Sequence, residues 1–335
     1  MPDVMQSIRD RAKAYQKTVG LPEISDPRTI LAARKAADEG LAKIVLVGSA
    51  DAAAAAAKEA GVSIADLPLF DPASDAVRTR AAACFYDCRK SKGVTEEQAA
   101  EQVLDPLYAA SCLLKMGELD ATVAGALNST PDVLRPLLQI VKCAPCYSTV
   151  SSCFIMETPL PEFGEDGTLI FGDCGVLPNP TVEQLADVAI TTAESAKLYL
   201  QVEPRVAMLS FSTKGSADHA DVDKVIAATK LAQEKAPQYF IEGEMQADAA
   251  LVPSVGKSKF GDSEVAGRAN VLIFPDLDAG NIGYKLVQRL GRAGAYGPLV
   301  QGLARTGLDL SRGASVDDIY NVIAVAALRA EFFNN

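Results

Sequence analysis

The sequence of 335 residues contains no tryptophan and a single histidine, His219. That scarcity removes every mechanism needing two imidazoles, including histidine-rich zinc sites and the HExxH helix of metalloproteases. His219 sits in SADHADVDK among Asp218, Asp221 and Asp223, where a solvated helix start is the plain reading. Positive charge is also short, because 32 Lys and Arg face 43 Asp and Glu, giving a formal net charge of −11. A general nucleic-acid binder wants the opposite sign, since phosphate neutralisation supplies most non-specific affinity. An anionic ligand must therefore find a local positive pocket in a negative body. No apolar run approaches the ~20 residues that cross a bilayer, and the opening MPDVMQSIRDRAK holds no apolar signal core. The seven cysteines are an odd number and read as reduced thiols of a soluble, cytoplasmic protein.

What is present is ample core material, with 49% hydrophobic residues, and a length that implies two domains at ~150 residues each. Strand and helix patterns alternate from the outset. A short strand at 18–22 precedes Asp26 and Pro27, a helix start with proline in the first turn, and Gly40 closes that helix before a strand at 43–48. An alanine-rich helix from Asp51, a strand at 67–70 and a helix over 74–92 follow, and Thr95 with Gln98 makes a capping box. ATVAG at 121–125 is a compact apolar strand, followed by a polar loop and a helix begun by Pro131 and Asp132. This is α/β grammar. Beyond Cys143 the β-branched runs STVSSCFIMET and TLIFGD predict a hairpin, and a second α/β series begins. The series runs through a helix from Thr181, strands RVAMLSF, QYFIEG and NVLIFPD, and helices from His219 and Asn281. PLVQG at 298–302 reads as the last strand, and a helix from Ser315 to about Phe332 closes the chain. The expected domains are 1–144 plus 298–335, and an inserted 145–297.

Four clusters could carry chemistry. In DLSRGASVDD, Ser311, Arg312 and Gly313 deliver the chain into its final helix, where an arginine and free N–H groups suit a phosphate. Ser315 and Asp318 are also spaced as a capping pair, so Asp318 has two readings, cap or catalyst, and Arg312 could simply be solvated. In FYDCRKSKG, Arg89, Lys90 and Lys92 either complement a helix dipole or meet a phosphorylated ligand. GALNSTPDVLRP sets Asn128, Ser129 and Thr130 after an apolar strand, with Arg135 one turn later, where open parallel sheets bind ligands. In FPDLDAGNIGYK, Gly280, Asn281 and Gly283 open a helix and allow close approach of an anion, or serve tight packing. Neither this segment nor FSTKGS fits a dinucleotide or Walker pattern. Cys143 and Cys146 form one CxxC without a second, so a zinc or redox site finds little support, and Cys84 and Cys88 read as packing.

Taken together, KIVLVG, RKSKG, NSTPDVLRPLLQIVK, DGTLIFGDCG, MLSFSTKGSA, VLIFPDLDAGNIGYKLVQRL, AYGPLVQGLA and DLSRG resemble the phosphate acetyl/butyryltransferase family over essentially the whole chain. The resemblance implies two three-layer αβα domains with largely parallel sheets, an architecture like isocitrate and isopropylmalate dehydrogenases, with a cleft between the domains. It implies transfer of an acetyl group between acetyl phosphate and coenzyme A, no metal, no tightly bound cofactor, no nucleic-acid or membrane partner, and a homodimer. It implies that Asp318 takes the proton from the CoA thiol and that Ser311 and Arg312 orient the acyl phosphate. Arg89 and Arg135 are implied in CoA recognition, and Arg312, Ser129, Thr130 and Asn281 in phosphate binding. Ala314 stands where many relatives carry cysteine, which rules out an acyl-thiol carrier there. The rival readings are a butyryl or propionyl preference, an NAD(P)-dependent decarboxylating dehydrogenase of related fold, and a non-catalytic CoA-binding or redox-sensing protein.

Overall fold

A computed structural model describes residues 4–333. Helix α1 (Val4–Tyr15) leads into strand β1 (Thr18–Leu21). Asp26 caps α2 (Pro27–Asp38) by accepting from the Arg28 N–H at 2.8 Å, and Pro27 occupies the first turn, where its missing N–H costs nothing. Next come β2 (Lys43–Val47), α3 (Ala50–Ala60), β3 (Leu69–Phe70) and α4 (Asp75–Arg89). The helix expected to reach Lys92 tightens into a 3-10 turn over Lys90–Lys92, closed by Gly93 in the left-handed region. Thr95 and Gln98 form the reciprocal cap of α5 (Glu96–Gln102). α6 (Pro106–Met116), β4 (Ala121–Ala124) and α7 (Thr130–Pro136) follow.

The hairpin expected after Cys143 is β5 (Ser151–Glu157) paired antiparallel with β6 (Thr168–Gly172). After it come α8 (Val182–Leu200), capped by Thr181 and Gln184, then β7 (Arg205–Leu209) and α9 (Ala220–Lys235). His219 is the cap of α9, its Nδ1 accepting from the Asp221 N–H. β8 (Phe240–Met245), short helices α10 (Ala247–Leu251) and α11 (Pro253–Lys259), β9 (Val271–Ile273), α12 (Leu277–Leu290) and β10 (Gly294–Gln301) complete this part. The chain ends with β11 (Thr306–Asp309) and α13 (Val316–Phe333).

Two compact units result. The first comprises Met5–Ala144 and the chain from Leu303 onward, and the inserted unit is built on Pro145–Gly302. The first unit holds a five-stranded parallel sheet in the order β11-β4-β1-β2-β3. α2, α3 and α13 pack together, as do α4 and α6, and both α13 and α6 lie against the strands. The inserted unit holds a six-stranded sheet, β10-β5-β6-β9-β7-β8, antiparallel through its first three strands and parallel through the rest. Its core gathers Phe154, Met156, Phe171, Met245 and Leu272. Parallel strands buried on both faces explain the continuous apolar runs KIVLV and ATVA.

Two sequence expectations need correction. PLVQG is not the last strand: it is the second half of β10, which begins at Gly294 and pairs with β5. The register shifts between Tyr296 and Leu299, so Gly297 and Pro298 interrupt the pattern without ending the strand. The compact inserted unit runs to Gly302, and a further strand, β11, follows. The helix expected to open at Asn281 begins at Leu277, because the Asp276 carboxylate already accepts from the Ala279 N–H at 2.9 Å.

Candidate active site

β1, β4 and β11 are adjacent parallel strands, so the loops leaving their carboxyl ends share one edge of the sheet. In open α/β sheets this edge is where ligands bind. Three buried or half-buried groups tie the loops together. Glu23, just beyond β1, is buried, and its carboxylate accepts from four successive N–H groups, Gly125, Ala126, Leu127 and Asn128, at 2.7–3.1 Å, and from the Asn128 amide at 2.9 Å. A carboxylate accepting this many bonds fixes the loop after β4.

Arg28, in the first turn of α2, pins the other loop. Its Nη1 donates to the carbonyls of Arg312 (3.1 Å) and Ala314 (2.8 Å), and its Nη2 to Ala126 O (2.9 Å) and Asp26 Oδ2 (2.6 Å). The Ser311–Gly313 backbone is thus held while the Arg312 side chain stays exposed, with no hydrogen bond or ion pair among the described residues. Ser311 Oγ accepts from the Gly313 N–H at 3.3 Å. The third tie is Asp309, at the end of β11 and only 1% exposed, whose Oδ2 accepts from Thr130 Oγ1 at 2.5 Å. Its Oδ1 is buried without a partner. Burial pushes the Asp309 carboxyl up to about 6, opposed by the Thr130 hydroxyl and the Leu310 N–H and assisted by the charge of Glu23.

Asp318 lies exposed in the first turn of α13, and it makes the cap its spacing implied: Oδ2 accepts from Ser315 N and Ser315 Oγ, both at 2.8 Å, and the Asp318 N–H donates back to Ser315 Oγ at 3.1 Å. Oδ1 accepts no hydrogen bond among the described residues, which leaves one oxygen open to a proton donor. The cap therefore occupies one oxygen of this carboxylate and leaves the other unused. Ser129 Oγ donates to Asp132 Oδ2 at 2.6 Å, and Thr130 is spent on Asp309.

The basic residues of the second cluster lie at the end of α4. Arg89 is half-buried, with a buried Nε that no acceptor meets, and it lines a cavity of about 550 Å³ with Phe85, Gln98, Asp105, Tyr108 and Gln139. Arg135 on α7 is exposed and 3.7 Å from Asp132. The Tyr108 phenol is pushed up by burial, and Arg135 and Arg89 both pull against that shift, so the two guanidinium groups share one electrostatic neighbourhood.

Ser129, Thr130, Ser311, Arg312 and Asp318 thus occupy loops and helix starts joined by Glu23, Arg28 and Asp309, with Arg89 and Arg135 on the same unit. Asn281 belongs to the inserted unit, within α12 rather than at its opening, and its amide donates to Cys174 O at 3.1 Å. A Cβ at Gly280 would collide with the Asp173 carbonyl, so that glycine serves close packing. Sequence reasoning missed Glu23, Arg28 and Asp309. An acid directly after a buried strand in LPE, and another at the strand end in DLSRG, were the signals available.

A family model described as "Phosphate acetyl/butaryl transferase" matches residues 3–327. The chain is 50% identical over 328 residues to a phosphate acetyltransferase of Thermoanaerobacterium thermosaccharolyticum, covering 98% of this chain and 99% of that one. It is 49% identical to a phosphate acetyltransferase of Acetivibrio thermocellus over 98% of both. A phosphotransacetylase structure from Streptococcus pyogenes superposes with a TM-score of 0.93 at 38% identity, covering 99% of each chain. A putative 4-hydroxythreonine-4-phosphate dehydrogenase from Salmonella typhimurium, 14% identical, superposes with a TM-score of 0.54 over 93% of this chain and 99% of that one, which extends the fold alone to dehydrogenases. By sequence along nearly its whole length, the chain belongs to the phosphate acetyl/butyryl transferase family.

Proposed function

We propose that this protein is a phosphate acetyltransferase, exchanging an acetyl group between acetyl phosphate and coenzyme A by direct attack of the thiolate. The observation that carries the reading is the Ser311–Gly313 loop, whose backbone is fixed by Arg28 while the exposed Arg312 guanidinium is left unpaired, and which leads directly into the helix whose first turn holds Asp318 with one carboxylate oxygen open. A thiol with a pKa of about 8.5 is only a few per cent ionised at neutral pH. Asp318 Oδ1 takes the proton from the CoA thiol. The sulfur then attacks the acetyl carbon, the tetrahedral intermediate collapses, and the carbon–oxygen bond to phosphate breaks. Arg312 meets the negative charge that gathers on the departing phosphate, and Ser311 and the free N–H groups opening α13 orient the group before transfer. Ser129 and Thr130 supply hydroxyls to the phosphate from the neighbouring loop.

Arg89 and Arg135 serve CoA. The unpaired Nε of Arg89 and the cavity of about 550 Å³ beside it suit a phosphate-bearing part of that substrate. None of the seven cysteines is in a disulfide, which supports a reducing, cytoplasmic setting. No helix among the described residues is long and apolar enough to cross a membrane. A homodimer belongs to the same reading. α12 exposes Ile282 (57%), Leu286 (52%) and Leu290 (81%) at successive turns, and Asp278 opens this helix while Arg289 ends it, so two antiparallel copies would set opposite charges against each other at both ends.

The test is thioester formation by the purified protein given CoA with acetyl, propionyl or butyryl phosphate. Acetyl-CoA formed fastest is the expected result. Faster transfer of the longer chains would reassign the acyl preference, and CoA-independent reduction of NAD(P) would overturn the reading.

A further inference from the structure

The Asp309–Thr130 pair poses a chemical problem for a threonine that must bind phosphate. A threonine hydroxyl has one proton to give, whereas an ionised carboxylate and a phosphate dianion only accept. With Asp309 ionised, Thr130 Oγ1 spends its proton on Oδ2 at 2.5 Å and presents only lone pairs to an incoming phosphate oxygen. With Asp309 protonated, the bond reverses: the carboxyl donates to Thr130 Oγ1, and the threonine proton turns free to meet the phosphate.

Resting on the phosphate-binding reading of Thr130, we propose that Asp309 is a positioning residue which must hold a proton for Thr130 to donate its hydroxyl to the substrate phosphate. The geometry supplies the reason. Asp309 is 1% exposed, its Oδ1 has no partner, and that oxygen presses so closely on Gly125 that a Cβ there would collide with it. On that side the Leu310 N–H relieves a negative charge in part, and burial outweighs it. Glu23, beyond β1, is the charged neighbour that acts on Asp309, and it disfavours ionisation. The charged groups of the surrounding elements are engaged elsewhere or exposed. Arg28 of α2 serves Asp26 and three carbonyls, Asp132 and Arg135 of α7 face each other at 3.7 Å, Asp317 of α13 meets Lys35 at 2.9 Å, and Asp318 caps α13. A carboxyl that titrates near 6 is mostly ionised in the free protein at neutral pH. The arriving phosphate adds negative charge and draws one proton from the buffer onto Asp309. That proton is the cost of competent binding, and it reduces apparent affinity by the protonated fraction.

The experiment measures the KM for acetyl phosphate at saturating CoA between pH 6 and 8.5 for the unaltered protein, Asp309→Asn and Thr130→Val. In parallel, calorimetric titration of the unaltered protein with acetyl phosphate in two buffers of different ionisation heat counts protons. The expected KM of the unaltered protein rises by up to about tenfold per pH unit above the Asp309 titration, with proton uptake on binding. Asp309→Asn, whose amide always donates to Thr130, gives a KM that no longer depends on pH. A wild-type slope in Asp309→Asn, or binding without proton uptake, overturns the proposal. If Thr130→Val leaves the KM unchanged at every pH, the phosphate-binding reading of Thr130 fails instead. A raised KM in Thr130→Val with the slope intact in Asp309→Asn defeats the proton coupling alone.

Discussion

At the scale of the residue, Asp318 has one oxygen for its cap and one for the proton transfer proposed for it. Its Oδ2 belongs to the Ser315 cap and its Oδ1 is open. Asp318→Asn keeps an oxygen for the cap and loses the ability to accept a proton. Its kcat is expected to fall by roughly 10²–10⁴ while the CoA KM and the melting temperature stay close to the parent's. An unchanged kcat in steady-state assays would leave Asp318 with capping alone. Asp309 carries a stability signature independent of catalysis. Its folded carboxyl titrates near 6 against a reference of 3.8, so between these values the folded state holds a proton that the unfolded chain has lost. Stability therefore drops as pH rises through this window, and the penalty is complete above it. Relative to the parent, Asp309→Asn is expected to gain roughly 3 kcal/mol between pH 4 and pH 7.5, read from urea unfolding at each pH. The spacing of Ser315 and Asp318 made their contact legible from sequence. Arg28 was opaque, because its carbonyl partners at 312 and 314 lie more than 280 positions away and carry no pattern that announces an acceptor.

At the scale of the element, caps and turn residues were the readable features. Asp26 with Pro27, Thr95 with Gln98 and Thr181 with Gln184 all make the local hydrogen bonds their spacing implied, since such contacts depend on a few neighbouring residues. β10 was misread because its bulge at Gly297 and Pro298 imitates a strand start, and its first half is set by pairing of residues 294–296 with residues 155–157, far away in the chain. β11 escaped notice because TGLD is short and weakly patterned. The junction after β4 is the most demanding backbone at the site. Gly125 has φ +116°, and a Cβ there would meet Leu310 N at 2.5 Å and strike Asp309 Oδ1. Gly125→Ala is expected to cost at least about 1–3 kcal/mol and to raise the KM for acetyl phosphate, because the loop carrying Ser129 and Thr130 must move. A thermal melt and a KM measurement on the same preparation check both effects. An unshifted melt would mean that the loop yields freely.

At the scale of the whole molecule, the alternation of strands and helices marks an α/β chain, and one compact unit runs to Ala144 before the inserted one begins. The return point was hidden, because a strand on either side of Gly302 looks alike in sequence and only its sheet distinguishes it. Quaternary structure is tested at the same scale. Replacing Leu286 and Leu290 with Glu places like charges along the α12 stripe, and sedimentation is expected to show monomers where the parent sediments as a dimer. Unchanged sedimentation would place the contact elsewhere.

Chain order has one more consequence. β11 and α13, which bring Asp309, Ser311, Arg312 and Asp318, lie beyond the inserted unit, so a ribosome delivers them only after that unit has emerged. Until then the Ala121–Ala124 strand stands at the rim of an unfinished sheet. A nascent chain caught at that stage holds the arginines assigned to CoA but lacks the groups assigned to proton removal and leaving-group stabilisation, so turnover waits until β11 and α13 have docked.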